Sequence, residues 1–126
     1  MKISKKGLYA LEAMIRLARN YPEPAKIHSI AAAEDIPQKF LELILLDLKT
    51  ARFVDSLRGA QGGYLLRRPP QNIFLGEIIR AIDGPLAPTH SALYQVFLDV
   101  RNAAAGILDH TSLAQIAGHS RSSSRP

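Results

Sequence analysis

Between two short β-prone runs, Phe53-Val54-Asp55-Ser56-Leu57 and Tyr64-Leu65-Leu66-Arg67, the chain places Arg58-Gly59-Ala60-Gln61-Gly62-Gly63. That spacing predicts a β-hairpin. The glycines admit positive φ and leave little side chain at the tip, so this backbone can approach another surface closely. On both sides of the hairpin the apolar residues recur at helical spacing, which restricts the fold to a mostly α architecture with one small sheet.

The first helix is expected from about Ser4 to Asn20, with Ser4 as N-cap and Leu8, Leu11, Ile15 and Ala18 as its apolar stripe, joined at the edge by Met14. Tyr21-Pro22-Glu23-Pro24 ends it, because proline lacks the donor and restricts its predecessor. Ile27-His28 reads as a very short strand, and Ser29 as the cap of a short helix over residues 30–35. A third helix then follows Ile36-Pro37 and runs to about Thr50, burying Leu41, Ile44, Leu45 and Leu48. Short helix, tight turn and longer helix with a polar outer face match a helix-turn-helix, a pattern shared by ordinary helical hairpins. A hairpin directly after the longer helix makes it a wing.

Beyond Pro69-Pro70, an extended Ile73-Phe74 leads into a fourth helix, Leu75 to Asp83. Gly84-Pro85-Leu86-Ala87-Pro88 is a stiff boundary. From about Ser91 to Leu108, the residues Leu93, Val96, Phe97, Val100, Ala104, Ile107 and Leu108 form a long apolar stripe. Either it folds back on its own domain or it is a dimerisation surface, which two-fold-symmetric DNA readers require. A last short helix is expected over Thr111 to Ala117 with Thr111 as cap. The domain reading is therefore residues 1–86 as a winged helix-turn-helix, 87–117 as linker and dimerisation helix, and 118–126 as a polar, disordered tail.

Charge is uneven along this chain. Residues 1–70 hold twelve Lys and Arg against seven Asp and Glu, residues 71–109 two against four, and the net charge is +5. The basic half suits a polyanionic partner and suits a solvated surface equally. With no cysteine in 126 residues, disulfides, thiol nucleophiles, thiolate metal sites and cysteine-ligated iron–sulfur clusters are excluded. No apolar run is long enough to span a bilayer, so a cytoplasmic protein is expected, without membrane association.

Catalytic chemistry finds no constellation here. His28, His90, His110 and His119 are scattered, without metal-ligand spacing on any expected helix. The glycine loop precedes a strand rather than a helix N-terminus and lacks the Lys-Ser/Thr pair of a phosphate-binding loop. Neither an enzyme nor a metal or cofactor site is expected. DNA contact accounts for the same residues with fewer assumptions. Gln38, Lys39 and Glu42 occupy the first turns of the third helix, the part presented to a major groove. Glu42 is either an acceptor for a cytosine amino group or a solvated helix residue, and Leu43 is either buried or set against a thymine methyl. Arg58 opens the wing, where a narrow minor groove attracts guanidinium. Lys5, Lys6, Arg52, Arg67 and Arg68 are candidate phosphate partners. The wing residues Gly59, Gln61, Gly62, Gly63 and Tyr64 complete the candidate DNA-binding set.

Met1-Lys2-Ile3-Ser4-Lys5-Lys6-Gly7-Leu8-Tyr9-Ala10-Leu11, Phe40-Leu41-Glu42, Ser56 to Leu66 and Ala81-Ile82-Asp83-Gly84-Pro85-Leu86 resemble, in order and spacing, the Rrf2 family of bacterial winged-helix regulators of the IscR and CymR types. The resemblance covers residues 1–86 and loosens over 87–117. It implies a dimeric repressor or activator on a palindromic operator, with the long helix crossing its partner, and with Glu42 and Arg58 reading DNA. Where the family often has glutamine after the glutamate, Leu43 stands here. Many relatives carry three cysteines in the region of Pro88 to Leu93, and this chain has none, which implies the cluster-free, CymR-like branch. The function expected is a homodimeric, sequence-specific transcriptional regulator, a repressor by preference, bound to double-stranded DNA. The alternative is an interaction module that docks a metabolic enzyme or another protein partner.

Overall fold

A computed structural model describes the backbone of residues 3–60, 62–84 and 94–123. The order is α1 (Lys5–Asn20), α2 (Ile27–Glu34), α3 (Gln38–Thr50), β1 (Val54–Leu57), β2 (Gly63–Leu66), a 3-10 turn at Pro70–Asn72, α4 (Leu75–Asp83), α5 (Tyr94–Asp109) and α6 (Leu113–Ser123). Gln61, Leu93 and the Pro85–Pro88 boundary lie outside the described residues.

Helix α1 starts where the sequence places it, with the Ser4 hydroxyl accepting from the Gly7 N–H at 2.9 Å. Its buried face is rotated from the expected one. Gly7, Ala10, Ala13, Met14 and Leu17 are sealed, while Leu8 is half exposed. The small residues decide this: a Cβ on Gly7 would sit 2.7 Å from Asp83 Oδ2, so glycine lets α1 and the end of α4 touch. Asp83 in turn accepts from the Ser4 N–H at 2.9 Å. Larger side chains at the Gly7 end of that face would push the helices apart, and Leu8 and Leu11 are left at its margins.

The strand expected at Ile27-His28 is helix instead. The extended residue is Ala25, bridged to Tyr64 by two backbone hydrogen bonds of 2.8 Å, and α2 begins at Ile27 without a side-chain cap from Ser29. Asp35, in the left-handed region at φ 54°, closes α2, and buried Ile36 with Pro37 turns the chain into α3. In the hairpin β1 and β2 are antiparallel with Val54 opposite Leu66 and Leu57 opposite Gly63. Ala25 thus gives the two-stranded sheet a third, single-residue edge and anchors the turn end of the hairpin to the helices.

The core is almost wholly aliphatic, with Phe53 its one buried aromatic among the described residues, and gathers Met14, Leu17, Ile30, Leu41, Ile44, Leu45, Leu48, Val54, Ile73 and Ile78. It also takes in Leu113, far along the chain. Phe74 bridges Ser112, and the Leu113 N–H donates to the Ile73 carbonyl at 2.9 Å, so the chain returns to the domain after α5. The cap of α6 is Ser112 rather than Thr111. Ser112 and Gln115 exchange side-chain and backbone hydrogen bonds of 2.8 and 3.2 Å, a capping box written in the sequence as Ser-Leu-Ala-Gln. Thr111 instead donates its hydroxyl to the Ile107 carbonyl. Helix α6 runs to Ser123, past the end expected at Ala117, because Gly118 weakens a helix without stopping it.

Candidate nucleic-acid interface

Six apolar residues crowd the α3 segment from Leu41 to Leu48, and one helix face cannot bury them all. Leu41, Ile44, Leu45 and Leu48 are sealed in the core. The opposite face carries Gln38, Lys39, Glu42 and Leu43, all exposed. Leu43, for which burial and exposure were both open, is 60% exposed. Leu46, not singled out from the sequence, is 57% exposed beside it. The available signal was the unbroken Leu43-Ile44-Leu45-Leu46 run, longer than an apolar stripe at helical spacing allows.

Two contacts bring the helix α1 lysines to α3. Lys5 lies 5.7 Å above the Tyr9 ring, and Tyr9 meets Phe40 edge-to-face at 5.3 Å, which sets an exposed cation beside the first turn of α3. Lys6 is engaged with Asp47 at 2.6 Å. The other candidate phosphate partners divide similarly. Arg67 reaches Asp55 at 3.6 Å, and Arg68 is held by Glu77 at 2.8 Å over the Phe53 ring. Lys39, Arg52 and Arg58 are exposed and make no ion pair among the described residues.

Helix α3 hands over to the hairpin with little slack. Arg52 adopts φ 69°, the Phe53 N–H bonds the Leu48 carbonyl at 2.9 Å, and Lys49 Nζ donates to Ser56 Oγ on β1 at 2.8 Å. Arg58 follows β1 at the tip. Gly59 has φ 96° with open space around it, whereas Gly62 is buried against the Leu57 carbonyl and Gly63, at φ 141°, against that of Ala25. Gly62 and Gly63 therefore shape the hairpin from within, and Gly59 is the glycine left facing outward. Tyr64 is partly buried on the core, its backbone pairing with Ala25. The exposed lysine next to that bridge, Lys26, was not anticipated, since no motif marks it.

The α5 stripe presents Val100 at 49% and Ile107 at 68% exposure, with Ala104 and Leu108 half-buried. The side chains of Val96 and Phe97, like all of Leu93, lie outside the described residues. Arg80 of α4 grips Asp109 at the end of α5 through two hydrogen bonds of 2.7 and 3.0 Å. That hydrogen bonding, with the cation's charge, holds the Asp109 carboxyl below its ordinary range against a smaller opposing effect of burial. On α1, burial first and the nearby Glu34 second push Glu12 upward.

Among the described residues no helix is long and apolar enough to cross a membrane. His28 is exposed on α2 and His110 Nδ1 lies 2.7 Å from the Gly106 carbonyl, and neither belongs to a metal-ligating group among the described residues; His90 and the His119 side chain lie outside the described residues.

The Rrf2 family model, described as an iron-dependent transcriptional regulator, matches residues 3–119. The HTH-type transcriptional regulator CymR of Bacillus subtilis is 37% identical over 126 residues, across 94% of this chain and 91% of the relative. The solved structure of the B. subtilis global cysteine regulator CymR superposes with a TM-score of 0.88 at 36% identity, covering 94% of this chain and 98% of that one. IscR of T. potens superposes with the same TM-score at 34% identity, over 100% and 93% of the two chains. The fold is thus a winged helix-turn-helix, α2 and α3 forming the paired helices and β1–β2 the wing. A thiolate-ligated iron centre does not fit this sequence, which has no cysteine, and no three His, Asp or Glu side chains gather as metal ligands among the described residues.

Proposed function

The chain belongs to the Rrf2 family of DNA-binding transcriptional regulators, and from that premise we propose that it acts as a homodimeric repressor on a palindromic operator. One observation carries this reading. The outward face of α3 and the start of the adjoining hairpin tip, tied together by the Lys49–Ser56 hydrogen bond, expose Lys39, Arg52 and Arg58, cations that make no ion pair within the described residues. An exposed polar helix face suits a major groove, and a basic hairpin tip suits the neighbouring minor groove.

In this reading residues 1–86 read DNA and residues 87–117 connect and pair the two copies. Lys5, Arg52 and the backbone of Gly59 position the protein on phosphates; Gln38, Lys39, Glu42 and Leu43 face base edges; Arg58 enters the minor groove. Val100, Ala104, Ile107 and Leu108 lie on the pairing face. A two-fold axis then sets two recognition helices about one helical turn apart. Regulation follows from occupancy of DNA in the bacterial cytoplasm, with no catalytic step.

Selection of bound sites from random duplex DNA, followed by footprinting on the promoter of the protein's own operon, tests this. Two symmetric half-sites roughly 10 base pairs apart, protected by a dimer, are expected. Absence of any discrete protected site at low salt would reject the reading.

A further inference from the structure

Along α3, Lys39, Leu43, Leu46 and Thr50 fall at i, i+4, i+7 and i+11 and make one outward stripe, with Glu42 beside it. The two leucines are 60% and 57% exposed. Scattered exposed leucines are ordinary. Here two neighbours interrupt an otherwise polar helix face, between Lys39 at one end and the turn to the basic wing at the other.

The surroundings select the occupant. An apolar face for a second copy already exists on another element, at Val100 and Ile107 of α5. The α3 patch is instead bracketed by cations: Lys5 is held over Tyr9 and hence beside Phe40 in the first turn, and the last turn is tied to the wing strand by Lys49 and Ser56. An anionic rim around an apolar spot is what duplex DNA offers, and in the major groove the apolar group on a base edge is the C5-methyl of thymine. We propose that Leu43 and Leu46 read thymine methyl groups in each operator half-site. This proposal rests on the reading of α3 as the groove-facing helix.

The test takes the site recovered by selection from random duplexes and replaces its thymines one at a time with deoxyuridine, which deletes the methyl and keeps every hydrogen-bonding group. Loss of one buried methyl is expected to weaken binding about three- to fivefold at the positions facing the leucines. In Leu43→Ala or Leu46→Ala, both exposed substitutions, the same deoxyuridine change should cost nothing at the matching position, the signature of a direct pair. Equal affinity of the parent protein for every substituted duplex overturns the proposal and leaves operator binding intact, as does a methyl effect that survives undiminished in both alanine variants. Failure to recover any discrete site overturns the reading of α3 itself.

Discussion

In the proposed DNA complex Arg58 and Glu42 would act through opposite electrostatics. Beside phosphates Arg58 is attracted and Glu42 repelled, so a glutamate on that face contributes to choice among sequences rather than to general affinity. Arg58→Ala is expected to weaken operator binding by about ten- to a hundredfold, and Glu42→Ala to relax preference at one base pair by about 1–3 kcal/mol. Titrations against operator and scrambled DNA check both; variants indistinguishable from the parent on both duplexes would refute the assignments. Gly62 acts through space alone. Its Cβ would strike the Leu57 carbonyl and the backbone of Arg58, so Gly62→Ala should cost about 1–3 kcal/mol by overpacking, read by urea denaturation, and should weaken DNA binding by displacing the tip. Gly59→Ala meets no such atoms and pays only for its positive φ.

At the level of elements, the ends of the helices hold the domain in register. Ser4 caps α1 and simultaneously reaches Asp83 at the end of α4. Ser4→Ala should therefore cost about 1 kcal/mol for the cap, and more in total, because the hydroxyl's own hydrogen bond to Asp83 Oδ1 is lost with it while the backbone bond to Oδ2 stays; denaturant midpoints measure the sum. The Arg80–Asp109 pair does the same for α4 and α5. Since the folded state lowers the Asp109 pKa, its contribution is present above the unfolded value of about 3.9 and fades as pH falls through the lower folded value. Asp109→Asn should lack that component, so thermal melts of variant and parent should converge as the pH is taken below about 4. Elements bounded by a proline break were legible from sequence, and α4 appears with the expected limits, whereas the caps expected for α2 and α6 are not the ones the structure uses. Ile27-His28 was misread because a β-prone pair cannot reveal that the pairing partner, Tyr64, is met two residues earlier by Ala25.

For the whole molecule the proposed two-fold assembly joins the exposed stripe of α5 to the DNA surface of α3 and the wing. Ile107→Glu places a charge in a face that would be apolar on both sides, and should convert the protein to monomers in sedimentation equilibrium without unfolding it, since Ile107 is 68% exposed in the single chain. A variant that remains dimeric would remove α5 from the interface. If the dimer neutralises about 6 to 10 phosphates, operator affinity should drop by roughly 10³ to 10⁵ between 50 and 200 mM salt, with a shallower slope for the monomeric variant.

Sequence alone determined the helix-turn-helix, the wing and the outward placement of Gln38, Lys39, Glu42 and Arg58, because these depend on local periodicity, on proline and on glycine, all of which act within a few residues. It also excluded a thiolate-bound cluster by composition. Which face of α1 is buried, which cations are taken up by Asp47, Asp55 and Glu77, and the return of α6 to the core through Leu113 were decided by tertiary structure. Each is a contact between segments distant in the chain, set by how closely small side chains let helices approach and by which charges that approach brings together, and no local pattern encodes it.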